Sequence, residues 1–211
     1  MPNDYNDDIN IQDEYEYYAR FGDDFRYREE GESSIVEKSE VKSIYLREHF
    51  QASYDNFIFT NCTFTDQLHL PSAFHHQLTF KNCIFEDSVY SLNASFSKQI
   101  IFENCEFNSS VNFYRTQFCN QVIFHKVKFH NIADFNNVIF YNEVSFNGSI
   151  FSKKAVFTNT IFNKKADFSK IRVSNNTNGG FYFENNNKTS DTADIIFDDA
   201  EFKAPIFFNG R

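Results

Sequence analysis

Phenylalanine recurs through the middle of the chain at a spacing that leaves little freedom to the fold. Between Phe96 and Phe168 the steps from one phenylalanine to the next alternate between six and five residues without exception. The chain therefore contains a strict 11-residue unit, and fixed periods of this kind are the signature of repeat architectures. The phenylalanines concerned are Phe96, Phe102, Phe107, Phe113, Phe118, Phe124, Phe129, Phe135, Phe140, Phe146, Phe151, Phe157, Phe162 and Phe168.

The same pattern extends in both directions, with interruptions. Upstream, one residue is missing between Leu70 and Phe74, and Ser91 occupies a phenylalanine position. Downstream, extra residues fall in two Asn-rich stretches, which predict loop insertions near 174–180 and 185–192. The further repeat positions are Phe59, Phe64, Leu70, Phe74, Phe80 and Phe85, followed by Val173, Phe183, Phe197, Phe202 and Phe208.

A small or apolar residue stands two positions before each phenylalanine, and the residues between are mostly polar. Cys62, Ser72, Cys83 and Ala94 illustrate this second position. Two inward residues separated by one outward residue indicate a short strand with one face on a core. Such a strand is too short to be stable alone, so each must stack on its copies.

This pattern resembles the pentapeptide-repeat family, whose motif places a small residue two before a central Leu or Phe. Its branch with alternating five- and six-residue steps is matched by Ala166-Asp167-Phe168-Ser169. The resemblance covers about residues 57–208 and implies an all-β protein, a right-handed four-sided parallel β-helix with two repeat units in each coil. A leucine-rich repeat is a competing interpretation, because its period of about 20–29 residues includes the length of one such coil. That fold needs a differently built convex half, whereas here the second half of each coil repeats the first.

No catalytic, metal or cofactor site is evident in the pattern. Cys62, Cys83 and Cys105 fall one coil apart and should stack inward as small apolar residues. Cys119 should point outward as an ordinary surface thiol, and the six His do not form a ligand set with carboxylates. A convex rod packed with Phe offers no pocket of the usual kind. We expect a protein without cofactors that is not an enzyme.

The charge is distributed unevenly along the chain. Residues 1–50 contain 14 acidic and 6 basic residues, whereas residues 51–211 contain 15 acidic and 14 basic residues. A net charge of −9 argues against direct nucleic-acid binding. The best-known proteins resembling this fold protect DNA gyrase as acidic rods shaped like DNA, but the nearly neutral repeat region weakens that expectation. A basic run comprises Lys153, Lys154, Lys164, Lys165, Lys170 and Arg172, and its first four lysines are candidate partner contacts.

Residues 1–50 are predicted to be an acidic N-terminal extension and cap, separate from the β-helix of 51–208. This segment either covers the first coil or docks on a partner. Its aromatic residues are candidate anchors, because aromatic side chains anchor interfaces and acids steer toward basic surfaces. The candidates are Tyr15, Tyr17, Tyr18 and Phe21.

The last repeat places Ile206 and Phe208 inward and close to the C-terminus. An uncovered end coil exposes strand edges that template pairing with another chain. We therefore expect Ile206 and Phe208 to form the contact of a two-fold homodimer. Asn-rich loops folding over the end would instead leave a monomer.

Together these features predict a non-catalytic bacterial protein that presents a rigid β-helical surface to an unidentified protein partner. One alternative is DNA mimicry toward gyrase or another DNA-binding protein, and a second is a structural spacer in a larger assembly. The first residues are acidic, unlike an export signal, and no apolar run is long enough to span a membrane. A cytoplasmic location is expected.

Overall fold

The phenylalanine repeat folds into short strands joined by tight corners. The computed structural model describes residues 19–21, 26–30, 33–37, 40–44, 56–174, 179–185 and 193–210. Within those ranges the regular structure consists entirely of strands. It includes no helix long and apolar enough to cross a membrane.

The strands assemble into four sheets, which form the four sides of the rod. Side 1 contains, from the N-terminal end, Ala19–Phe21, Glu40–Ile44, Thr63–Phe64, Ile84–Phe85, Glu106–Phe107, Lys128–Phe129, Ile150–Phe151, Arg172–Val173 and Glu201–Phe202. Side 2 contains Leu68–His69, Val89–Tyr90, Val111–Asn112, Ala133–Asp134, Lys154–Val156, Gly180–Asn185 and Ile206–Gly210. Side 3 contains Ala73–Phe74, Ser95–Phe96, Gln117–Phe118, Ile139–Phe140 and Ile161–Phe162. Side 4 contains Arg26–Glu30, Ser33–Glu37, Asn56–Thr60, Gln77–Lys81, Ile100–Glu103, Val122–His125, Val144–Ser145, Ala166–Asp167 and Ile195–Ile196.

The chain visits the four sides in order and then returns to side 1 one coil higher. Phe107 on side 1 pairs with Phe129, one full coil later in the sequence, and the pairing is parallel. Parallel pairing one coil apart recurs on the other three sides. The prediction of a four-sided parallel β-helix with two repeat units in each coil is therefore confirmed.

The core consists of phenylalanine rings stacked in register along each side. The ring centroids are 4.6 Å apart for Phe85 and Phe107 on side 1, 4.9 Å for Phe135 and Phe157 on side 2, 5.2 Å for Phe118 and Phe140 on side 3, and 4.9 Å for Phe124 and Phe146 on side 4. Rings on neighbouring sides meet edge to face instead, as Phe129 and Phe135 do at 85°. Stacked and edge-to-face pairs are the two arrangements that the quadrupoles of aromatic rings favour.

The two step lengths make two kinds of corner. Each five-residue step turns through one residue in the left-handed region, such as Asn104 between sides 4 and 1 and Asn137 between sides 2 and 3. Asn tolerates this conformation better than most residues. The six-residue steps turn between sides 1 and 2 and between sides 3 and 4, where Asn131 and Asn120 accept the N–H of the next residue. Because the two kinds of corner alternate along the chain, the steps between phenylalanines alternate between five and six residues.

One position departs from the pattern in the sequence. The repeat predicts Ser72 as an inward small residue, but Ser72 is exposed. Ala73 and Phe74 pair with Ser95 and Phe96, and the Ser72 carbonyl accepts from Ser95 N as the Ala94 carbonyl accepts from Gln117 N, so the shortened step lacks the left-handed corner residue and the Ser72 side chain turns outward. The missing residue is thus absorbed at a corner, and Phe74 remains in the core.

The N-terminal part contains strands that the sequence pattern does not assign. Ser33–Glu37 pairs in parallel with Asn56–Thr60, and Glu40–Ile44 pairs in parallel with Thr63–Phe64. Their outer edges pair antiparallel with Arg26–Glu30 and Ala19–Phe21. On sides 1 and 4 these strands cover backbone edges that a first coil would otherwise expose. A domain boundary at residue 50 stays a prediction, and 175–178 and 186–192, within the predicted loop insertions, lie outside the described residues.

The register of the core predicts two classes of variant. Phe124→Asp or Phe146→Asp should abolish cooperative folding, because each places an unpaired charge in a fully buried ring stack. Lys128→Ala and Glu143→Ala alter outward side chains and should each change the free energy of unfolding by about 0.5 kcal/mol or less. Thermal melts of the four purified variants measure the difference. Similar melting in both classes would show that the inward register is wrong.

Candidate interaction surfaces

The buried cysteines pack as apolar residues. Cys62, Cys83 and Cys105 lie in one inward column, at most 1% exposed, and their thiols point at backbone carbonyls, such as that of Phe59 3.4 Å from Cys83 Sγ. Burial, followed by the hydrogen bond with Cys105, raises the pKa of the Cys83 thiol to about 12. A thiol that stays protonated is a poor nucleophile and a poor metal ligand.

The outward Cys and His side chains do not form a metal centre within the described ranges. Among those residues no three His, Cys, Asp or Glu side chains are close enough to hold a metal ion. Cys119 is exposed and its Sγ lies 3.8 Å from Ser95 Oγ. His130 Nε2 lies 3.3 Å from Glu106 Oε2, beside the Lys128 ammonium, which donates to Glu106 Oε1 at 2.7 Å. The hydrogen bonds from Lys128 and His130 hold the pKa of Glu106 below its ordinary value.

The four candidate lysines of the basic run do not form one patch. Lys153 and Lys154 lie where side 1 meets side 2, whereas Lys164 and Lys165 lie half a coil later, at the corner between sides 3 and 4. These corners are opposite each other across the rod. Lys153 donates to Asn131 Oδ1 at 3.3 Å.

Acidic side chains do not form a continuous row along the described part of the rod from 56 to 174. Glu103 lies between Lys81 and His125 in its column, and Lys81 forms an ion pair with it at 3.7 Å. Glu106 is followed by Lys128 in the same way. Acids therefore alternate with cations or neutral residues from one coil to the next, except where Asp87 follows Asp66.

Charge is sparse at one edge of the rod, formed by sides 2 and 3 and the corner between them. Residues 56–174 contain 19 Asp, Glu, Lys and Arg residues. By the strand order, only Arg115, Asp134 and Lys154 of these lie at this edge, and Lys154 lies at its margin, where side 2 begins. The other charges lie on sides 1 and 4 and on the remaining three corners.

Each of the three charged side chains has a partner. The Arg115 guanidinium lies 5.0 Å from the centroid of the Tyr114 ring, and the Lys154 ammonium lies 4.5 Å from the centroid of the Tyr182 ring. Asp134 Oδ1 accepts a backbone N–H at 2.8 Å. The edge is therefore close to electrically neutral between residues 56 and 174.

Tyrosine and large apolar side chains take the place of charge there. Leu92 is 47% exposed and Tyr141 is 44% exposed. We name this surface the tyrosine strip and define it by Tyr90, Leu92, Tyr114, Ile139, Tyr141 and Ile161. Protein interfaces are enriched in aromatic residues and depleted of charge at their centres, so the strip has the composition of a protein-docking surface.

A family profile described as "Pentapeptide repeats (9 copies)" matches residues 92–139 and 124–172. These two overlapping segments include the whole stretch in which the six- and five-residue steps are unbroken. Residues 92–172 are pentapeptide repeats. Comparisons with curated proteins and with solved structures gave no match.

The C-terminal candidates are exposed at the end of the rod. Ile206 is 38% exposed and Phe208 is 55% exposed, although the Phe208 ring still contacts Phe183 and Phe197. Phe207 points outward and stacks on Tyr182 at 4.5 Å. Side 2 thus ends in a group of exposed apolar side chains.

The N-terminal aromatic candidates are not brought into any site by the structure. Tyr15, Tyr17 and Tyr18 lie outside the described residues. Phe21 belongs to the strand Ala19–Phe21, which pairs with Glu40–Ile44 through its backbone. A role of these residues in partner binding stays a prediction.

Sequence reasoning missed the tyrosine strip, although the signal is present. Charge counted along the chain does not reveal the strip, which appears only when outward positions are sorted by side. Folding the sequence into coils of two repeat units and asking which of the four sides carries each charge would have found it.

The burial of the cysteines predicts their reactivity. A chromogenic disulfide reagent at pH 8 should label about one thiol per native chain, at Cys119, and four after denaturation. The three core thiols are shielded, and the raised pKa of Cys83 keeps it protonated. A Cys119→Ser control should reduce the native count to nearly zero. Rapid labelling of two or more thiols in the native protein would contradict the packing of the cysteine column.

Proposed function

We propose that this protein is a non-catalytic binding protein whose rigid rod docks a protein partner through the tyrosine strip. The single observation that carries the proposal is the separation of surface types around the rod. Three of the 19 charges between residues 56 and 174 lie at the edge that carries the strip, and exposed Tyr and Leu side chains lie there instead. Pentapeptide-repeat solenoids typically interact with proteins and are generally non-catalytic.

The rod suits this role because its surface is fixed before binding. Tyr90, Asn112 and Asp134 stand in one outward column on side 2, held by parallel backbone ladders. The buried ring stacks beneath restrict movement of the strands. A preorganised surface loses little conformational entropy on association.

A protein fits the strip better than a nucleic acid does. Binding DNA or RNA requires cations that neutralise phosphates, and the two cations of this edge, Arg115 and Lys154, each lie against a tyrosine ring. Tyr, Asn and Ser supply contact area and adaptable hydrogen bonds to a polypeptide. Asn93, Asn137 and Asn159 provide amides along the corner between sides 2 and 3.

Two alternative functions stand beside this one. DNA mimicry toward gyrase follows from the family resemblance, yet acidic side chains do not line up along the described rod. Inhibition of gyrase supercoiling by the purified protein would favour it. A structural spacer would bind nothing through the strip. The four free thiols support a reducing location such as the cytosol.

Residues outside the strip give two further partner hypotheses. The acidic and aromatic segment around Tyr15, Tyr17, Tyr18 and Phe21 would add a second contact to the same partner. Lys153 and Lys154 would form one partner contact, and Lys164 and Lys165 would form a different one, because the two pairs lie at opposite corners.

A homodimer through the C-terminal coil remains a proposal supported by the exposure of Ile206 and Phe208. Light scattering at micromolar concentration should then give twice the chain mass of 24.9 kDa. Phe208→Glu should return the protein to the monomer, because it places a charge in the apolar contact. A wild-type monomer whose mass does not change in Phe208→Glu would contradict the dimer.

Site-specific photo-cross-linking tests the strip. A photoreactive phenylalanine analogue at Tyr114 or Tyr141, introduced in cells of the source organism, should capture the same protein, since both positions lie on one docking surface. The matched controls are Glu86 on side 1 and Ser145 on side 4. They should not capture it.

The pattern of cross-links decides between the functions. Capture of one protein from both strip positions and from neither control supports the proposal. Equal capture from all four positions, or capture of gyrase from the controls alone, would contradict docking through the strip. An absence of cross-links from every position would favour the spacer.

A further inference from the structure

Two lysines occupy backbone positions that suit other residues better. The corner between sides 4 and 1 turns through the left-handed region in each coil from Asn61 to Asp199. Gly, Asn and Asp tolerate that region best, because Gly has no Cβ to approach the following carbonyl oxygen and the short polar side chains of Asn and Asp can hydrogen-bond locally. The first positions of this corner follow the rule, at Asn61, Asn82 and Asn104, but Lys126 and Lys170 do not.

The asparagines at this corner have an evident structural reason. Asn82 Nδ2 donates to Asn61 Oδ1 at 3.1 Å, and Asn104 Nδ2 donates to Asn82 Oδ1 at 3.3 Å. The amides thus form a ladder along the corner. It does not continue beyond Asn104, because the next residue in the column is Lys126. A residue that breaks a local preference without a structural gain is a candidate for function.

Gly148 leaves room for the first of these lysines. It lies between Lys126 and Lys170 in the column, with a φ of 70°. A Cβ at this position would lie 3.3 Å from Lys126 Cγ, so the Lys126 side chain runs over the glycine. Lys126 and Lys170 are two coils apart, about 10 Å between backbones.

The neighbouring cations Lys128 and Arg172 each form an ion pair with a glutamate, unlike Lys126 and Lys170 among the described residues. Lys128 donates to Glu106 at 2.7 Å, and Arg172 Nε lies 3.5 Å from Glu201 Oε2 across two exposed side chains. Within the described part of the chain, neither Lys126 nor Lys170 forms an ion pair. Both side chains are exposed, so their charge is available to a ligand. We name Lys126, Gly148 and Lys170, with Arg172 beside them, the lysine corner.

Acidic residues limit the length of this surface at both ends. Glu103 and Glu106 lie one coil before Lys126. Asp199 follows Lys170 in the corner column, and Glu201 follows Arg172 on side 1. A long polyanion such as DNA laid along the rod would meet these carboxylates. A short anionic segment laid between them would lie against the two lysines, with Lys128 and Arg172 beside them on side 1 and Asp167 on side 4.

We propose that the lysine corner binds a short acidic peptide segment of a partner protein. In a polyproline II peptide, which has three residues per turn and rises about 3.1 Å per residue, two carboxylates three residues apart lie on one face about 9 Å apart, close to the separation of Lys126 and Lys170. Each carboxylate would accept a charge-assisted hydrogen bond from one ammonium. The lysine corner lies diagonally opposite the tyrosine strip, so the rod holds an acidic ligand and a neutral protein surface at the same time. This role is independent of docking through the strip.

Fluorescence anisotropy with the full-length protein tests the site. The probe is a labelled Gly/Ser peptide with two Glu residues three apart, and its Gln counterpart is the uncharged control. The double variant Lys126→Asn with Lys170→Asn should bind the Glu peptide about tenfold more weakly. Its melting temperature should not fall, since Asn favours the left-handed conformation.

Two further variants separate a specific site from general attraction. Lys81→Asn with Lys98→Asn removes the same charge elsewhere, in columns where Asn147 and Asn120 show that Asn fits. This control should bind within about twofold of wild type. Gly148→Asn keeps the charge, suits the positive φ and displaces the Lys126 side chain, so it should weaken binding about threefold.

The outcomes decide the proposal. Weaker binding of the Glu peptide by the lysine-corner double variant and by Gly148→Asn, but not by the Lys81 and Lys98 control, supports the proposal. Three results would overturn it. The two double variants could lose affinity for the Glu peptide equally, or the wild-type protein could bind the Gln peptide as tightly as the Glu peptide. It could also bind a single-stranded oligonucleotide more tightly than the Glu peptide.

Discussion

The stacking of phenylalanine rings at the spacing of parallel strands is the interaction on which the rest of this structure depends. Strands in a sheet lie about 4.8 Å apart, and the rings of Phe124 and Phe146 lie 4.9 Å apart. Because ring and strand spacing agree, a phenylalanine at every repeat position packs without strain. Four such stacks also meet edge to face, which closes the centre of the rod. The regular four-sided coil follows from this match.

A core fixed in this way frees the outward positions to vary. Burial constrains Phe135 and Phe157, while the outward residues beside Phe135, Asp134 and Asn136, need only permit strand pairing. The surface can therefore carry a neutral aromatic edge and, diagonally opposite, a cationic corner without altering the backbone. The character of each part of this surface therefore depends on which column holds a residue more than on its position along the chain.

The sequence predicted the fold closely because each inward residue is marked by its type and spacing. Prediction failed at Ser72, where a shortened step turned the side chain outward, and in the strand Glu40–Ile44, which lies outside the repeat. The basic run was treated as one surface, although the coil geometry places Lys153 and Lys164 at opposite corners. The lysine corner depends on backbone conformation at Lys126 and Gly148, which the residue types alone do not reveal. The tyrosine strip can be recognised only when the charged residues on each of the four sides are counted separately.

Native-state hydrogen exchange measured by NMR tests most directly whether the ring stacks hold all four sides together. The informative amides donate between coils, one on each side: Lys128 to Cys105, Val111 to Ile132, Gln117 to Ala94 and Val122 to Glu143. If the stacks close one core, all four amides should exchange at least about a thousandfold more slowly than in an unstructured peptide, with similar protection. Exchange on one side near the unstructured rate, while the others stay protected, would contradict a closed four-sided rod.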